Sequence, residues 1–201
     1  MLHHTVSPSS SASGDLSWWL SNSDRVGAHF IIDATGRVYQ TIDTEYWLHH
    51  LYVNFQGNRI DRKFKLRGWN DVLNQNSIGI ELDSAGGLKK QASGKWAASF
   101  GPPTIIPMQN VIEYPAGYRG YTGFEQYYPA QLQELDNLLI WLSQQHNIPL
   151  TWSDKNFDIS LNALEGKEGL YSHTSYRTDK SDVHPDPLLR KLLKKYENTG
   201  A

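Results

Sequence analysis

"VGAHFIIDATGRVYQTI", residues 26–42, carries the pattern that decides the fold class. Its first part, 26–33, is rich in β-branched and aromatic residues, and the same pattern returns at 38–42. The residues "ATGR" between them include a glycine, which allows the chain to reverse its direction. Two such runs around a short glycine turn predict a β-hairpin. We therefore expect a sheet to be built on this stretch.

Apolar patterns on both sides of the hairpin predict further strands and helices. "NSIGIEL" (76–82) is apolar enough to be a strand inside a sheet. "PAQLQELDNLLIWLSQQHN" (129–147) begins with Pro129 and places leucines along one stripe, which predicts the longest helix. Strands interleaved with helices indicate an α/β fold with a mixed central sheet flanked by helices.

Shorter elements are expected nearer the two ends. "GDLSWWLSNSDR" (14–25) has helical spacing of its apolar residues, with Ser13 or Asp15 as the expected cap. "IPLTW" (148–152) has the composition of a strand, and "LLRKLLKKY" (188–196) predicts a terminal helix.

Residues 85–128 are rich in glycine, proline, lysine and aromatic residues. This composition predicts long surface loops, with a short hairpin at most. Loops of that length inside a compact domain are more often functional than idle. The aromatic residues of "YRGYTGFEQYY" (118–128) fit loop packing and a sugar-stacking wall equally well. We expect one domain over residues 1–201, with a long loop insertion at about 85–128.

Composition excludes several classes of function. The 201 residues hold 19 basic and 21 acidic side chains, so no strong field attracts nucleic acid or an anionic membrane surface. No cysteine is present, which excludes disulfides, thiolate metal ligands and a cysteine nucleophile. Any metal must therefore be bound by histidine or carboxylate side chains.

Targeting signals are missing from the printed sequence. No basic segment leads into an apolar one near residue 1, and no apolar run approaches the roughly 20 residues of a spanning helix. We expect a protein made in the cytoplasm without a signal peptide. If it acts outside the cell, another factor must release it.

Eight histidines are the main candidates for chemistry, and two groups of them stand out. "LHHTVSPS" (2–9) places His3 and His4 on a strand, where alternation lets only one of them face a given pocket. "SHTSYRTDKSDVHP" (172–185) contains His173, Lys180 and Asp182. Two histidines and one carboxylate, with a position left for water, form a known catalytic zinc set.

Other histidines compete with this interpretation less strongly. His184 is the rival of Asp182 as third ligand, but two prolines stiffen the chain around it, so we favour Asp182. His29 lies in an apolar strand and is expected to be a hydrogen-bonded core residue. His146, near the end of the long helix, is expected only to interact favourably with the helix dipole.

The order of several motifs adds a family resemblance. "LHHT", "VGAHFIIDATGRVYQ", "YWLHH", "NSIGIEL", the leucine-striped helix and "SHTSYRTDKSD" follow one another along the chain. Together they resemble the type 2 N-acetylmuramoyl-L-alanine amidases, zinc enzymes that include phage lysins, wall-recycling amidases and peptidoglycan recognition proteins. The resemblance covers nearly the whole chain except residues 85–128 and 153–168.

This resemblance implies a zinc site and two groups that assist the reaction. His3, His173 and Asp182 match the family's metal ligands. Glu81 in "NSIGIEL" matches the residue that transfers the proton, and Lys180 matches a lysine that stabilises the oxyanion. Lys180 could instead simply offset the negative charge of Asp182. Only two residues precede His3, which leaves three alternatives: zinc itself holds this end of the chain, the strand begins with His3 and continues through Val6, or the chain is a trimmed piece of a longer one.

The resemblance also implies where the substrate lies. His49 in "YWLHH" matches a histidine lining the substrate cleft, with Tyr46 and Trp47 beside it, although the family's usual "WHAG" is not kept. Ala28 stands where some phage members carry a tyrosine, so a mechanism assisted by that tyrosine is not available here.

The expected function is zinc-dependent cleavage of the amide bond between N-acetylmuramic acid and L-alanine in peptidoglycan. We expect a monomeric phage endolysin that reaches the cell wall after holin-type release, without nucleic-acid or membrane partners. The alternatives are a cytoplasmic muropeptide-recycling amidase, a peptidoglycan-binding module without catalysis, and a zinc peptidase acting on stem peptides.

Overall fold

The structure of the protein is a computed structural model that describes residues 1–7, 12–53 and 68–197. The helices within these ranges are α1 (Ser13–Ser21), α2 (Trp69–Gln75), α3 (Pro129–His146), α4 (Leu161–Leu164) and α5 (Pro187–Leu193). The strands are β1 (Leu2–His4), β2 (Phe30–Ile32), β3 (Val38–Gln40), β4 (Ile80–Leu82), β5 (Gly87–Lys90), β6 (Trp96–Ala98), β7 (Ile105–Ile106), β8 (Val111–Tyr118) and β9 (Tyr121–Glu125). These elements give the α/β class that the sequence predicts.

The first sheet has the order β1-β4-β2-β3. Strands β1 and β2 pair in parallel with β4 from either side, and β2 pairs antiparallel with β3. The hairpin over residues 26–42 and the interior position of "NSIGIEL" are therefore confirmed. In this register His3 lies opposite Glu81, so both side chains emerge on the same face of the sheet.

Helix α3 covers the first sheet and supplies much of the core. Its buried stripe consists of Leu132, Leu135, Leu138, Leu139 and Leu142. Each fully buried leucine contributes about 1.5–3 kcal/mol relative to an exposed one. The amide of Gln131 also donates to the carbonyls of Ile32 and Asp83, at 2.7 and 3.0 Å. The long predicted helix is confirmed, and it is attached to the ends of two strands.

The prediction of long loops at 85–128 is wrong, because this region forms a second sheet of order β7-β6-β5-β9-β8, antiparallel throughout. Two of its glycines, Gly87 and Gly123, lie on strands and make room for aromatic rings, whereas Gly94 and Gly120 have the positive φ of turn residues. A Cβ atom at Gly123 would lie 2.6 Å from the Trp96 ring, and one at Gly87 would lie 2.5 Å from the Tyr121 ring. The glycines that suggested loops are in part required by close packing of aromatic rings against the strands.

Two smaller predictions also differ from the structure, and one helix was not predicted. "IPLTW" forms no strand: Trp152 makes a single bridge with Glu197, and Pro149 has no N–H to donate to a sheet. Helix α1 is present, but its N-cap is Ala12 and not Ser13 or Asp15. Helix α2 was not predicted. The terminal helix is confirmed as α5 followed by a 3-10 turn, Lys194–Tyr196.

Within the described ranges, none of the helices combines the length and the apolar character that crossing a bilayer would require.

Candidate metal centre

Three buried side chains from opposite ends of the chain meet at one point. Nδ1 of His3 lies 3.0 Å from Nδ1 of His173 and 3.2 Å from Oδ2 of Asp182. Nδ1 of His173 lies 2.9 Å from the same carboxylate oxygen. We call His3, His173 and Asp182 the metal cluster. Among the described residues it is the group of histidine and carboxylate side chains close enough together to hold a metal ion.

Backbone contacts between β1 and the segment that follows Tyr171 bring the metal cluster together. The amide of Leu2 donates to the carbonyl of Tyr171 at 2.8 Å. A 3-10 turn, His173–Ser175, follows directly and turns the His173 ring toward β1. The amide of Thr174 then donates to the carbonyl of Asp182 at 3.0 Å, which closes the loop on itself.

The metal cluster fits a divalent cation in its spacing. Tetrahedral ligands with bonds of about 2.0–2.1 Å lie roughly 3.3 Å apart, close to the three distances observed. Nε2 of His173 faces the carbonyl of Leu51 at 2.9 Å, and a carbonyl only accepts, so this nitrogen carries the hydrogen. In the neutral ring Nδ1 then presents its lone pair to the other two ligands. A divalent cation between these converging lone pairs would offset their mutual repulsion.

The charge states of the metal cluster suit coordination. Burial lowers the pKa of His3 to about 3, which keeps this imidazole neutral at pH 7. Burial alone would raise the pKa of Asp182, but the contacts with His173 and His3 outweigh it and hold that pKa well below the usual range. Metal ligands must be deprotonated, and both groups meet that condition.

Glu81 is placed beside the metal cluster by its register with His3. The side chain is half-buried, and among the described residues its Oε2 atom has no hydrogen-bond partner. Burial, followed by the negative charge of Asp182, raises the pKa of Glu81 well above its usual value. A carboxyl group whose protonated form is favoured in this way can accept a proton during a reaction and pass it on.

An open cleft of about 860 Å³ leads to the metal cluster, with His173 in its lining. The predicted residues Lys180, Trp47 and His49 line it as well, whereas Tyr46 does not and is 63% exposed. A second cavity of about 330 Å³ lies beneath Met1 and contains none of the metal cluster, so we assign the site to the open cleft.

His4, His184 and His29 lie outside the metal cluster, as the sequence analysis expects. His4 points to the other face of the sheet and contacts the hydroxyl of Tyr127 at 2.9 Å. Both nitrogens of His184 are occupied, by the Tyr114 hydroxyl and the Glu125 carbonyl, so Asp182 and not this rival joins the two histidines. His29 is a buried residue bonded to backbone groups.

The aromatic residues of 118–128 pack among themselves. The ring of Phe124 contacts the rings of Tyr118 and Tyr121, and Phe124 and Tyr127 are fully buried. None of the described residues that line the cleft comes from this segment. Of the two interpretations weighed for these rings, packing is the one the structure favours.

One residue of the site was missed. His50, and not His49, contacts the metal cluster: its Nδ1 atom lies 3.0 Å from Nε2 of His3. The pair at 49–50 has the same form as the pair at 3–4, where alternation was used to divide the roles. Both His49 and His50 line the cleft, and residues 49–50 form no strand, so alternation does not show which of the two reaches His3.

Comparison with known proteins assigns the chain a family. The family model described as N-acetylmuramoyl-L-alanine amidase matches residues 1–187, which include all of both sheets and the whole metal cluster. No curated protein and no solved structure matches the chain significantly.

Proposed function

The chain belongs to the N-acetylmuramoyl-L-alanine amidase family, whose activity is hydrolysis of peptidoglycan amide bonds, and from this membership we propose that the enzyme depends on zinc bound by His3, His173 and Asp182. The observation that carries the proposal is the convergence of these three buried ligand atoms, 2.9–3.2 Å apart. Nitrogen and oxygen ligands of this kind suit zinc, and three protein ligands leave a fourth position for water or substrate.

The bond to be broken joins the lactyl group of N-acetylmuramic acid to L-alanine. Zinc in such a site supplies a Lewis acid that activates water and polarises the carbonyl group. The residues of this chain orient the substrate, move the proton and stabilise the charge that develops on the carbonyl oxygen.

We assign the proton transfer to Glu81. Its carboxylate accepts a proton from the attacking water and hands it to the departing amine of L-alanine. Two features support this role: the raised pKa and the Oε2 atom that has no hydrogen-bond partner among the described residues.

Lys180 stabilises the negative charge on the carbonyl oxygen in this proposal. Its side chain lines the cleft beside His173, and its ammonium is near enough to affect the pKa of Glu81. Removing one such preorganised group typically slows a reaction by about 10²–10³-fold.

We further propose that the substrate is the polymeric cell wall, as for a lytic enzyme of the endolysin type. The support is the open form of the cleft, which has Trp47 in its lining and Tyr52, 68% exposed, at its side. Such a cleft accommodates a glycan strand that continues on both sides of the muramoyl residue whose amide bond is cleaved. Comparing rates on intact sacculi and on soluble muropeptides tests this assignment: a preference for the soluble fragments would indicate a recycling amidase instead.

The experiment that tests the main proposal is digestion of purified peptidoglycan, followed by mass spectrometry of the new amino ends. We expect free L-alanine amino ends, and loss of their release in Glu81→Ala while zinc remains bound. Glu113→Ala, which removes an exposed glutamate of β8, is the matched control and should keep full activity.

Other outcomes identify the competing functions. Binding to peptidoglycan with no zinc and no new amino ends would indicate a binding module. New amino ends on residues other than L-alanine would indicate a zinc peptidase. An unchanged rate in Glu81→Ala would remove Glu81 from its assigned role.

A further inference from the structure

A buried chain of hydrogen bonds begins at Nε2 of His3, the ring nitrogen that points away from the metal cluster. Nε2 of His3 lies 3.0 Å from Nδ1 of His50, and Nε2 of His50 lies 3.0 Å from Oγ of Ser77. The Ser77 hydroxyl donates in turn to the backbone carbonyl of Leu73 at 2.6 Å. His3 and His50 are both buried, with 2% and 9% of their surface exposed.

The carbonyl at the end of this chain fixes the direction of every hydrogen bond in it. The carbonyl of Leu73 only accepts, so the single hydrogen of the Ser77 hydroxyl is used there. The Ser77 oxygen must then accept from Nε2–H of His50, which leaves Nδ1 of His50 as an acceptor. That atom receives the hydrogen of Nε2 of His3.

The consequence for His3 is a single tautomer. With its hydrogen on Nε2, the ring presents the lone pair of Nδ1 to His173 and Asp182. This is the form that can bind a cation, and the nitrogen that points at the metal is set by the hydrogen bond of the other nitrogen.

The ring of His50 is itself fixed in position. Its backbone amide donates to Oδ1 of Asn74 at 3.0 Å, and Asn74 is fully buried. Gly79 packs against the ring so closely that an added Cβ atom would lie 3.0 Å from Cγ of His50. The next residue, Leu51, holds the outer nitrogen of His173 through its carbonyl. Residues 50 and 51 therefore orient both histidines of the metal cluster.

We propose that His50 is a positioning residue that fixes the metal-binding tautomer of His3 through the chain ending at Ser77 and Leu73. This inference rests on zinc binding by the metal cluster, as proposed above. His50 lines the cleft but reaches the metal cluster through Nε2 of His3, and its proposed role is exerted through that residue. Partners of this kind, when removed, weaken metal binding by about 10–100-fold.

The test compares two substitutions of His50 by their affinity for zinc, measured by competition with a chelator. His50→Leu removes the acceptor for His3, and we expect zinc binding about 10–100-fold weaker than in the unsubstituted protein. His50→Asn keeps an oxygen near the place of Nδ1, so it should restore most of the affinity. A leucine variant that binds zinc as tightly as the unsubstituted protein would overturn the inference.

A spectroscopic measurement separates positioning from loss of structure. Nitrogen NMR of the histidine rings should show hydrogen on Nε2 of His3 in the unsubstituted protein and in His50→Asn, and a second tautomer in His50→Leu. His29→Asn makes the same kind of change in a neighbouring buried ring bonded only to backbone groups among the described residues. It should leave zinc affinity unchanged, and an equal loss in this control would overturn the inference.

Failure of the inference is distinguishable from failure of the proposed function. If the unsubstituted protein binds no zinc, the zinc proposal is wrong and the inference falls with it. If the unsubstituted protein binds zinc and cleaves peptidoglycan while His50→Leu does the same with equal affinity, only the positioning role is wrong.

Discussion

Two roles are possible for Lys180, and one substitution distinguishes between them. If it stabilises the charge on the carbonyl oxygen, Lys180→Ala should slow hydrolysis by about 10²–10³-fold and leave zinc affinity unchanged. If it only offsets the charge of Asp182, the substitution should change zinc affinity and affect the rate little. Rates on peptidoglycan and zinc affinities of the same preparation give the answer. Lys89→Ala, on the exposed side of β5, is the control.

Asp83 is the residue from which we predict a pH dependence of stability. Burial and the charge of Asp15 raise its pKa to about 7, and among the described residues its Oδ2 atom has no hydrogen-bond partner. The folded state therefore holds a proton that the unfolded state releases near pH 4. The contribution of Asp83 to the free energy of unfolding is therefore fully present below about pH 4 and is lost as the pH rises toward 7.

The corresponding variant is Asp83→Asn. Its stability relative to the unsubstituted protein should increase between pH 4 and pH 7 and stay level above pH 7. Thermal melting of both proteins in the presence of a chelator measures the difference, in which contributions of the buried histidines cancel. A difference that is the same at pH 4 and pH 7 would contradict the assigned pKa.

For single residues, the sequence predicted the three members of the metal cluster but not the role of His50, which contacts His3. The types and order of His3, His173 and Asp182 are visible in the sequence, because ligand chemistry restricts the residues that can serve. The role of His50 depends on a hydrogen bond to Ser77 that joins positions 27 residues apart. Neither residue type nor spacing specifies such a contact.

At the scale of elements, the second sheet braces the loop that carries two ligands. The turn between β8 and β9 places Arg119 against it: one guanidinium nitrogen donates to the carbonyl of Thr178 at 2.9 Å and another to Asp158 at 2.5 Å. The hydroxyl of Tyr118 donates to the carbonyl of Phe157 at 2.9 Å. The hairpin formed by β8 and β9 thus contacts the segment between His173 and Asp182 through Arg119.

We predict that Arg119→Ala loosens this segment. Loss of hydrogen bonds from a charged group costs about 1.5–3 kcal/mol, reduced here by the exposure of Asp158. Hydrogen exchange of residues 177–181 should become faster, while exchange in α3 stays unchanged. Unaltered exchange at 177–181 would show that the hairpin does not support the loop.

The elements differ in how well the sequence predicts them. Helix α3 and the hairpin β2–β3 were predicted because a buried stripe or a short turn leaves a strong local pattern. The second sheet was not, because two of its strand glycines lie under aromatic rings and the residues of β8 are half-buried or exposed. Such strands are specified by contacts with one another, which composition does not reveal.

For the whole molecule, the proposed zinc site predicts that zinc binding increases the stability of the folded state. The metal cluster joins His3 to Asp182 across almost the entire chain, so a bound ion should stabilise the folded state. At a free zinc concentration 1,000 times the dissociation constant, the gain is about 4 kcal/mol. For a chain of this size that corresponds to a rise in melting temperature on the order of 10 °C.

Melting curves with zinc and with a chelator measure this gain. His3→Ala lacks one ligand and should melt at nearly the same temperature in both conditions. Identical curves for the unsubstituted protein would contradict the zinc proposal, whatever its activity on peptidoglycan.

The distance along the chain between His3 and Asp182 also bears on synthesis. A ribosome must deliver residue 182 before the carboxylate can join the two imidazoles, by which time both sheets have been translated. Under the proposed assignment, any polypeptide interrupted earlier is inert toward the wall.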